Sequence, residues 1–75
     1  MRTKLGVFFE TRSVNRANIS RKTGISNQRL SELSNNNNAN IRADELYLIA
    51  KALDISPCIL LELLCDHLNH YIAKE

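Results

Sequence analysis

The sequence predicts an all-α domain of five helices, and three observations predict this class. Only two glycines and one proline interrupt the 75 residues, so helical segments can form along most of the chain. Apolar residues recur at intervals of three and four in successive segments, which is the spacing of an amphipathic helix. No segment shows the strict alternation of a half-buried strand. With 44% hydrophobic and 24% charged residues, the composition is that of one globular domain, residues 1–75.

The first two helices are predicted from apolar spacing and from their end residues. Leu5, Phe8 and Phe9 stand at positions i, i+3 and i+4 of a helix over about residues 3–12. Asn15 is a residue type that caps helix N-termini, so a second helix is expected to follow it. Gly24 ends this helix, because glycine readily adopts the left-handed conformation found after a helix C-terminus.

A third helix is predicted over about residues 27–34, with Ser26 as its N-cap. Leu30 and Leu33 form its inward side. The asparagine-rich stretch that follows, residues 35–40, predicts a loop, because asparagine tolerates the left-handed backbone conformation.

The last two helices are predicted from an apolar stripe and a restart signal. The fourth helix spans roughly residues 42–53, and its stripe consists of Leu46, Ile49, Ala50 and Leu53. Ser56 followed by Pro57 is an N-cap followed by a proline at the first helical position. The fifth, extended helix is expected to run from Pro57 to Ala73.

The charges are divided unequally between the two parts of the chain. Residues 1–42 contain eight basic and two acidic side chains, a formal charge of +6, whereas residues 43–75 contain two basic and six acidic ones, a formal charge of −4. A basic half joined to an acidic half suggests one face for a polyanion. From charge alone, scattered solvated charges explain the same numbers equally well.

Residues 16–35 have the layout of a helix-turn-helix, in which two short helices are joined by a few residues. Gly24 stands where the chain must turn sharply, a task that suits a residue without Cβ. The apolar positions that would pack these two helices on each other are Ile19, Ile25, Leu30 and Leu33.

The sequence around this motif resembles the Cro/phage-repressor (Xre-type) helix-turn-helix family over about residues 3–64. The matching segments are VNRANISRKTGIS at residues 14–26, LSEL at residues 30–33 and LYLIAKALDISP at residues 46–57. The resemblance implies a lambda-repressor-like fold. It also implies a sequence-specific DNA-binding transcriptional regulator, expected to be a repressor, that binds double-stranded DNA at a two-fold operator through the major groove.

The third helix is expected to supply the base contacts. At 100° per residue, its polar outer face lies opposite the two inward leucines, and the predicted base-reading residues are Asn27, Gln28, Ser31 and Glu32. The resemblance places Arg16, which opens the second helix, on the DNA backbone. The full set of predicted phosphate contacts is Arg16, Ser26, Arg29, Asn36 and Arg42. A polar outer face on an arbitrary short helix is usually just solvated, and it is the helix-turn-helix context that favours DNA.

The fifth helix carries more apolar surface than one small domain should need. Its apolar arc covers roughly 200°, whereas packing on one side needs an arc nearer 100°. Residues 57–73 are therefore predicted to form a homodimer interface, with Leu64, Leu68, Tyr71 and Ile72 as its contacts. The alternative is that the tail folds back over the first and fourth helices.

Enzyme, cofactor, metal and membrane functions find no support in the sequence. No catalytic set of side chains and no cofactor motif are present, and the spacing of Cys65, His67 and His70 matches no closed zinc pattern. Cys58 and Cys65 are seven residues apart on a predicted helix, too far for a disulfide, so they are expected to be buried free thiols. No run reaches membrane-spanning length, and we expect a cytoplasmic, nucleoid-associated protein.

Two alternatives to a free-standing regulator stay open. One is an antitoxin of the same fold that binds DNA and also a toxin protein. The other is an interaction module that holds a protein, such as polymerase or a toxin, and never binds DNA. The basic half of the chain argues against the second alternative.

Overall fold

The computed structural model describes the backbone of residues 3–71 and the side chains of residues 3–68. This part of the chain contains five α-helices and no strand, which confirms the predicted all-α class. The helices are α1 (Lys4–Thr11), α2 (Arg16–Thr23), α3 (Asn27–Asn35), α4 (Ala43–Ala52) and α5 (Pro57–Cys65), followed by a 3-10 helix over Asp66–Tyr71.

Most of the helices begin where a short polar side chain caps the backbone. The Asn15 side chain accepts hydrogen bonds from the amides of the first turn of α2, and Ser26 and Ser56 do the same for α3 and α5. Thr3, which was not predicted as a cap, does so for α1. α4 is different, because the carboxylate of Glu45 in its first turn accepts a hydrogen bond from the backbone amide of its N-cap residue (2.9 Å). Local sequence therefore determines where these helices begin.

Every α-helix contributes to one hydrophobic core. α3 packs on α1 and α2, α4 packs on α2 and α5, and α1 also contacts α5. The buried apolar side chains are Leu5, Phe9, Ile19, Leu30, Leu33, Ile49, Ala50 and Leu60. Leu30 and Leu33 are buried as predicted, so the opposite side of α3 faces outward.

The predicted extent of the fifth helix is wrong. α5 ends at Cys65, and a 3-10 helix replaces the expected α-helical continuation. A helical stretch in a protein depends on burying an apolar face, and Leu68, three residues past α5, is 44% exposed and is not among the side chains packed on the core. The 100° periodicity used to define the wide apolar arc therefore applies only as far as Cys65.

One further expectation for this end of the chain is wrong in part. Cys58 is exposed and Cys65 is half-buried, so only the prediction of free thiols agrees with the structure. Leu64 is half-buried against the core of its own chain. The side chain of Tyr71, and Ile72 entirely, lie outside the described residues.

Candidate DNA interface

The turn between α2 and α3 is closed by a glycine and by a threonine hydroxyl. Gly24 has a φ of 81°, in the left-handed region, as the turn requires. The hydroxyl of Thr23 donates to the carbonyl of Ile19 (2.7 Å) and accepts from the amide of Ile25 (3.1 Å). These bonds hold the end of α2 in one conformation and so set the direction in which α3 leaves the turn.

The outward side of α3 is polar along its length. Asn27, Gln28 and Glu32 are exposed, and Ser31 is half-buried. Asn35, which the sequence analysis did not select, donates its side-chain amide to the Ser31 carbonyl (3.0 Å) on the same face. Amide, hydroxyl and carboxylate groups are the side-chain groups that pair with base edges in the major groove.

Arg16 lies beside this face. Its side chain is exposed at the first position of α2, and it lines one open surface groove together with Asn27 and Ser31 of α3. The fold therefore brings the predicted phosphate contact at the start of α2 next to two predicted base-reading residues. An exposed cation at a helix N-terminus is a suitable site for a phosphate.

Arg29 has four hydrogen bonds to other residues of its own chain, which local sequence does not predict. Its guanidinium binds both carboxylate oxygens of Glu45 (2.8 and 3.0 Å), one oxygen of Glu32 (3.0 Å) and the carbonyl of Asn40 (2.9 Å). The hydrogen bonds from Arg29 lower the pKa of Glu45, which stays ionised although it is buried. The guanidinium of Arg29 therefore binds two carboxylates and a carbonyl of its own chain, and its contact with a phosphate stays a prediction.

The remaining predicted phosphate contacts lie on the surface but also have internal partners. Ser26 uses its hydroxyl oxygen to accept from the Arg29 amide (3.1 Å), and the Asn36 side chain accepts from the backbone of the following loop. Arg42 pairs with Asp44 through two bonds (2.7 and 3.1 Å), which lowers the pKa of Asp44. The charge of Arg42 is therefore largely compensated.

The C-terminal end of α3 is held by Thr3, the N-cap residue of α1. The backbone amide of Thr3 donates to the Ser34 carbonyl (3.0 Å), and its hydroxyl donates to the Leu33 carbonyl (2.6 Å). Gly6 lies directly against Ser34, where a Cβ atom would overlap the backbone. A glycine inside an apolar helix was the only sequence signal for this close approach.

An apolar surface is exposed on the side formed by α1 and α5. Val7 on α1 is 50% exposed, and Leu63 on α5 lines a shallow depression next to it. The other exposed apolar residues of α5 and of the segment after it are Ile59, Leu61 and Leu68. The apolar surface predicted over residues 57–73 is exposed within α5 at Ile59, Leu61 and Leu63, whereas the predicted contact Leu64 is half-buried.

Within the described part of the chain, no group of three His, Cys, Asp or Glu side chains is placed to hold a metal ion. Among the same residues, none of the helices is long and apolar enough to cross a membrane.

The chain matches a model of a known protein family. A family model for the Cro/C1-type HTH DNA-binding domain matches residues 4–66, which include all five α-helices. Comparisons with curated proteins and with solved structures found no significant match.

Proposed function

Because the chain belongs to the Cro/C1-type helix-turn-helix DNA-binding family, we propose that this DNA-binding regulator is a repressor that binds a two-fold operator as a homodimer. Repression would follow from occupancy, since the bound dimer excludes polymerase from the same DNA. No chemical step is needed. We also propose that the protein lies in the cytoplasm, associated with the nucleoid.

The observation that carries the proposal is the polar outward face of α3 beside Arg16. In a helix-turn-helix, the second helix lies in the major groove and the first crosses the backbone. Gln28 can pair bidentately with adenine, and Glu32 can accept from the amino group of cytosine. Arg16 would contact a phosphate, which positions the helix without reading sequence.

The homodimer is supported by the exposed apolar surface of α5. Ile59 and Leu63 stand four residues apart on one face of this helix, and both are more than 40% exposed. A two-fold pairing would bury both residues in each of the two subunits. The same two-fold axis would have to place the two copies of α3 about 34–36 Å apart, one turn of DNA. Leu68 is also exposed and, together with Ile59 and Leu63, belongs to the proposed interface.

The experiment that tests the function is selection of binding sites from random DNA, followed by titration of the selected site at several salt concentrations. We expect an inverted repeat with half-site centres one helical turn apart. Arg16→Ala should weaken binding to selected and random DNA alike and reduce the salt slope by about one unit. Lys51→Ala, which removes one positive charge from the exposed side of α4, is the matched control and should change the slope less.

Failure to enrich any sequence would contradict the proposal. Weak binding that is insensitive to salt would favour the protein-interaction module instead. Enrichment of a single half-site by a chain that stays monomeric would keep the DNA-binding role and refute the dimer. An antitoxin would enrich an operator and would also need a protein partner for the α5 surface.

A further inference from the structure

We propose that Arg29 is a positioning residue for base recognition, which holds α3 and the carboxylate of Glu32 in the orientation that selects a base. This inference rests on the proposed function, because it assigns a specificity role within the same interface. Arg29 itself contacts no base in this arrangement. It acts through Glu32.

The geometry joins three separate segments through one guanidinium. Arg29 leaves α3 and binds Glu45, in the first turn of α4, with two parallel bonds from Nε and Nη2 (2.8 and 3.0 Å). Nη2 also donates to the carbonyl of Asn40 in the loop between the two helices (2.9 Å). Nη1 donates to Oε1 of Glu32, one turn further along α3 (3.0 Å).

This link connects two helices that do not otherwise pack on each other. In the described part of the chain α3 packs on α1 and α2, and α4 packs on α2 and α5. The N-terminal half of α3 is therefore tied to α4 through Arg29. Its C-terminal end is tied to α1 through Thr3, so both ends of the recognition helix are anchored.

Burial of Glu45 keeps Arg29 in place. The side chain of Glu45 is only 8% exposed, and its oxygens accept from Arg29 and from the backbone amide of Arg42. A buried carboxylate that loses its cation is left with an uncompensated charge, which is strongly unfavourable. Arg29 consequently stays on Glu45 when DNA approaches, instead of moving to a phosphate.

Glu32 is the residue whose recognition depends on this arrangement. One of its oxygens accepts from Arg29, and the other, Oε2, has no hydrogen-bond donor among the described residues. The carboxylate is about half exposed and faces outward from α3. A carboxylate held in one rotamer can accept from a cytosine amino group without losing further side-chain entropy. The adjacent guanidinium also offsets repulsion between Glu32 and the DNA phosphates.

Arg29→Lys in the full chain is the first test. Lysine keeps the charge and can pair with Glu45, but it cannot direct separate N–H groups to two carboxylates and a carbonyl at once. The base pair read by Glu32 is identified first, as the one whose preference changes in Glu32→Gln. At that base pair we expect Arg29→Lys to lose about tenfold in discrimination, more than at any other position, while the salt slope is preserved.

Ser34→Ala is the matched control. Ser34 is buried on the same helix, and its hydroxyl donates to the Leu30 carbonyl (2.8 Å), away from the outward face. Its loss should destabilise the domain and leave the base preferences of the selected site unchanged. If Ser34→Ala weakened the base preferences as much as Arg29→Lys does, Arg29 would contribute only stability, and the proposal would be overturned.

An unchanged preference profile in Arg29→Lys overturns the proposal. If that variant does not fold, Glu45→Gln decides. The glutamine side chain binds Arg29 more weakly than a carboxylate does, and its oxygen can still accept a hydrogen bond from the Arg42 amide. In Glu45→Gln, a changed base preference at the pair read by Glu32 supports the proposal, and an unchanged preference overturns it. A wild-type chain that enriches no sequence refutes the proposed function itself, and this inference with it.

Discussion

Replacing Gly6 by alanine sets two opposing effects against each other. Gly6 lies inside α1, where alanine is favoured over glycine by about 1 kcal/mol from helix propensity alone. If α1 were an isolated exposed helix, the substitution would stabilise the protein. In the folded domain the new Cβ would overlap the carbonyl oxygen of Ser34 and lie 3.0 Å from its carbonyl carbon and 3.3 Å from its Cα.

The overlap involves backbone, so it can be relieved only by moving α1 away from α3. Such a movement strains the two hydrogen bonds from Thr3 to the end of α3, at 2.6 and 3.0 Å, each contributing about 1 kcal/mol. It also disturbs the packing of Leu5 and Phe9 in the core. Overpacking, in which a group is forced into space that is already filled, costs about 1–3 kcal/mol. Partial weakening of the two bonds, about 1 kcal/mol in total, offsets the propensity gain, so the expected net loss is that of the overpacking, about 1–3 kcal/mol.

The assay is urea and thermal unfolding followed by circular dichroism. For a domain of this size, the loss corresponds to a decrease in Tm of about 4–8 °C per kcal/mol. Gly24→Ala is the matched control, because Gly24 has a positive φ and no atom within 4 Å of its Cβ position. It should lose about 1–2 kcal/mol from backbone strain alone. A Gly6→Ala variant that is more stable than wild type would refute the close approach of α1 and α3.

Three further predictions concern the interface, the assembly and the pH dependence. Gln28→Ala should cost about 1–3 kcal/mol on the selected site and relax preference at one or two base pairs, as measured by repeating the selection; an unchanged profile would remove Gln28 from the base contacts. Leu63→Asp should convert the dimer to a monomer of weak operator affinity in sedimentation at micromolar concentration; wild-type sedimentation as a monomer would contradict the dimer. Because the folded pKa of Glu45 is depressed below its ordinary 4.5, its ion pair stabilises the fold above that pH, and the stabilisation is lost as pH falls through the folded value. The stability gap between wild type and Glu45→Gln should therefore narrow below about pH 4.5 in urea titrations, and a constant gap would refute the ionised state of Glu45.

The helix starts could be predicted because their causes are local. Asn15, Ser26 and Ser56 each accept hydrogen bonds from amides two or three residues ahead, so the sequence next to them determines the cap. The end of α5 could not be predicted in the same way. Its apolar periodicity continues past Cys65, and periodicity does not reveal whether a core lies beneath the helix.

The anchoring of α3 depends on contacts that no local pattern records. Arg29 looks from the sequence like a cation at the edge of a recognition helix, and its partner Glu45 is 16 residues away on another helix. Glu45 looks like an acidic residue that suits the first turn of a helix, a role compatible with full exposure. Only the fold brings these two side chains together and buries one of them. Sequence could therefore identify which helix carries the polar face, whereas the orientation of that helix is determined by contacts with α1 and α4. Because a base contact depends on orientation as much as on residue type, the proposed specificity would also depend on residues that do not face the DNA.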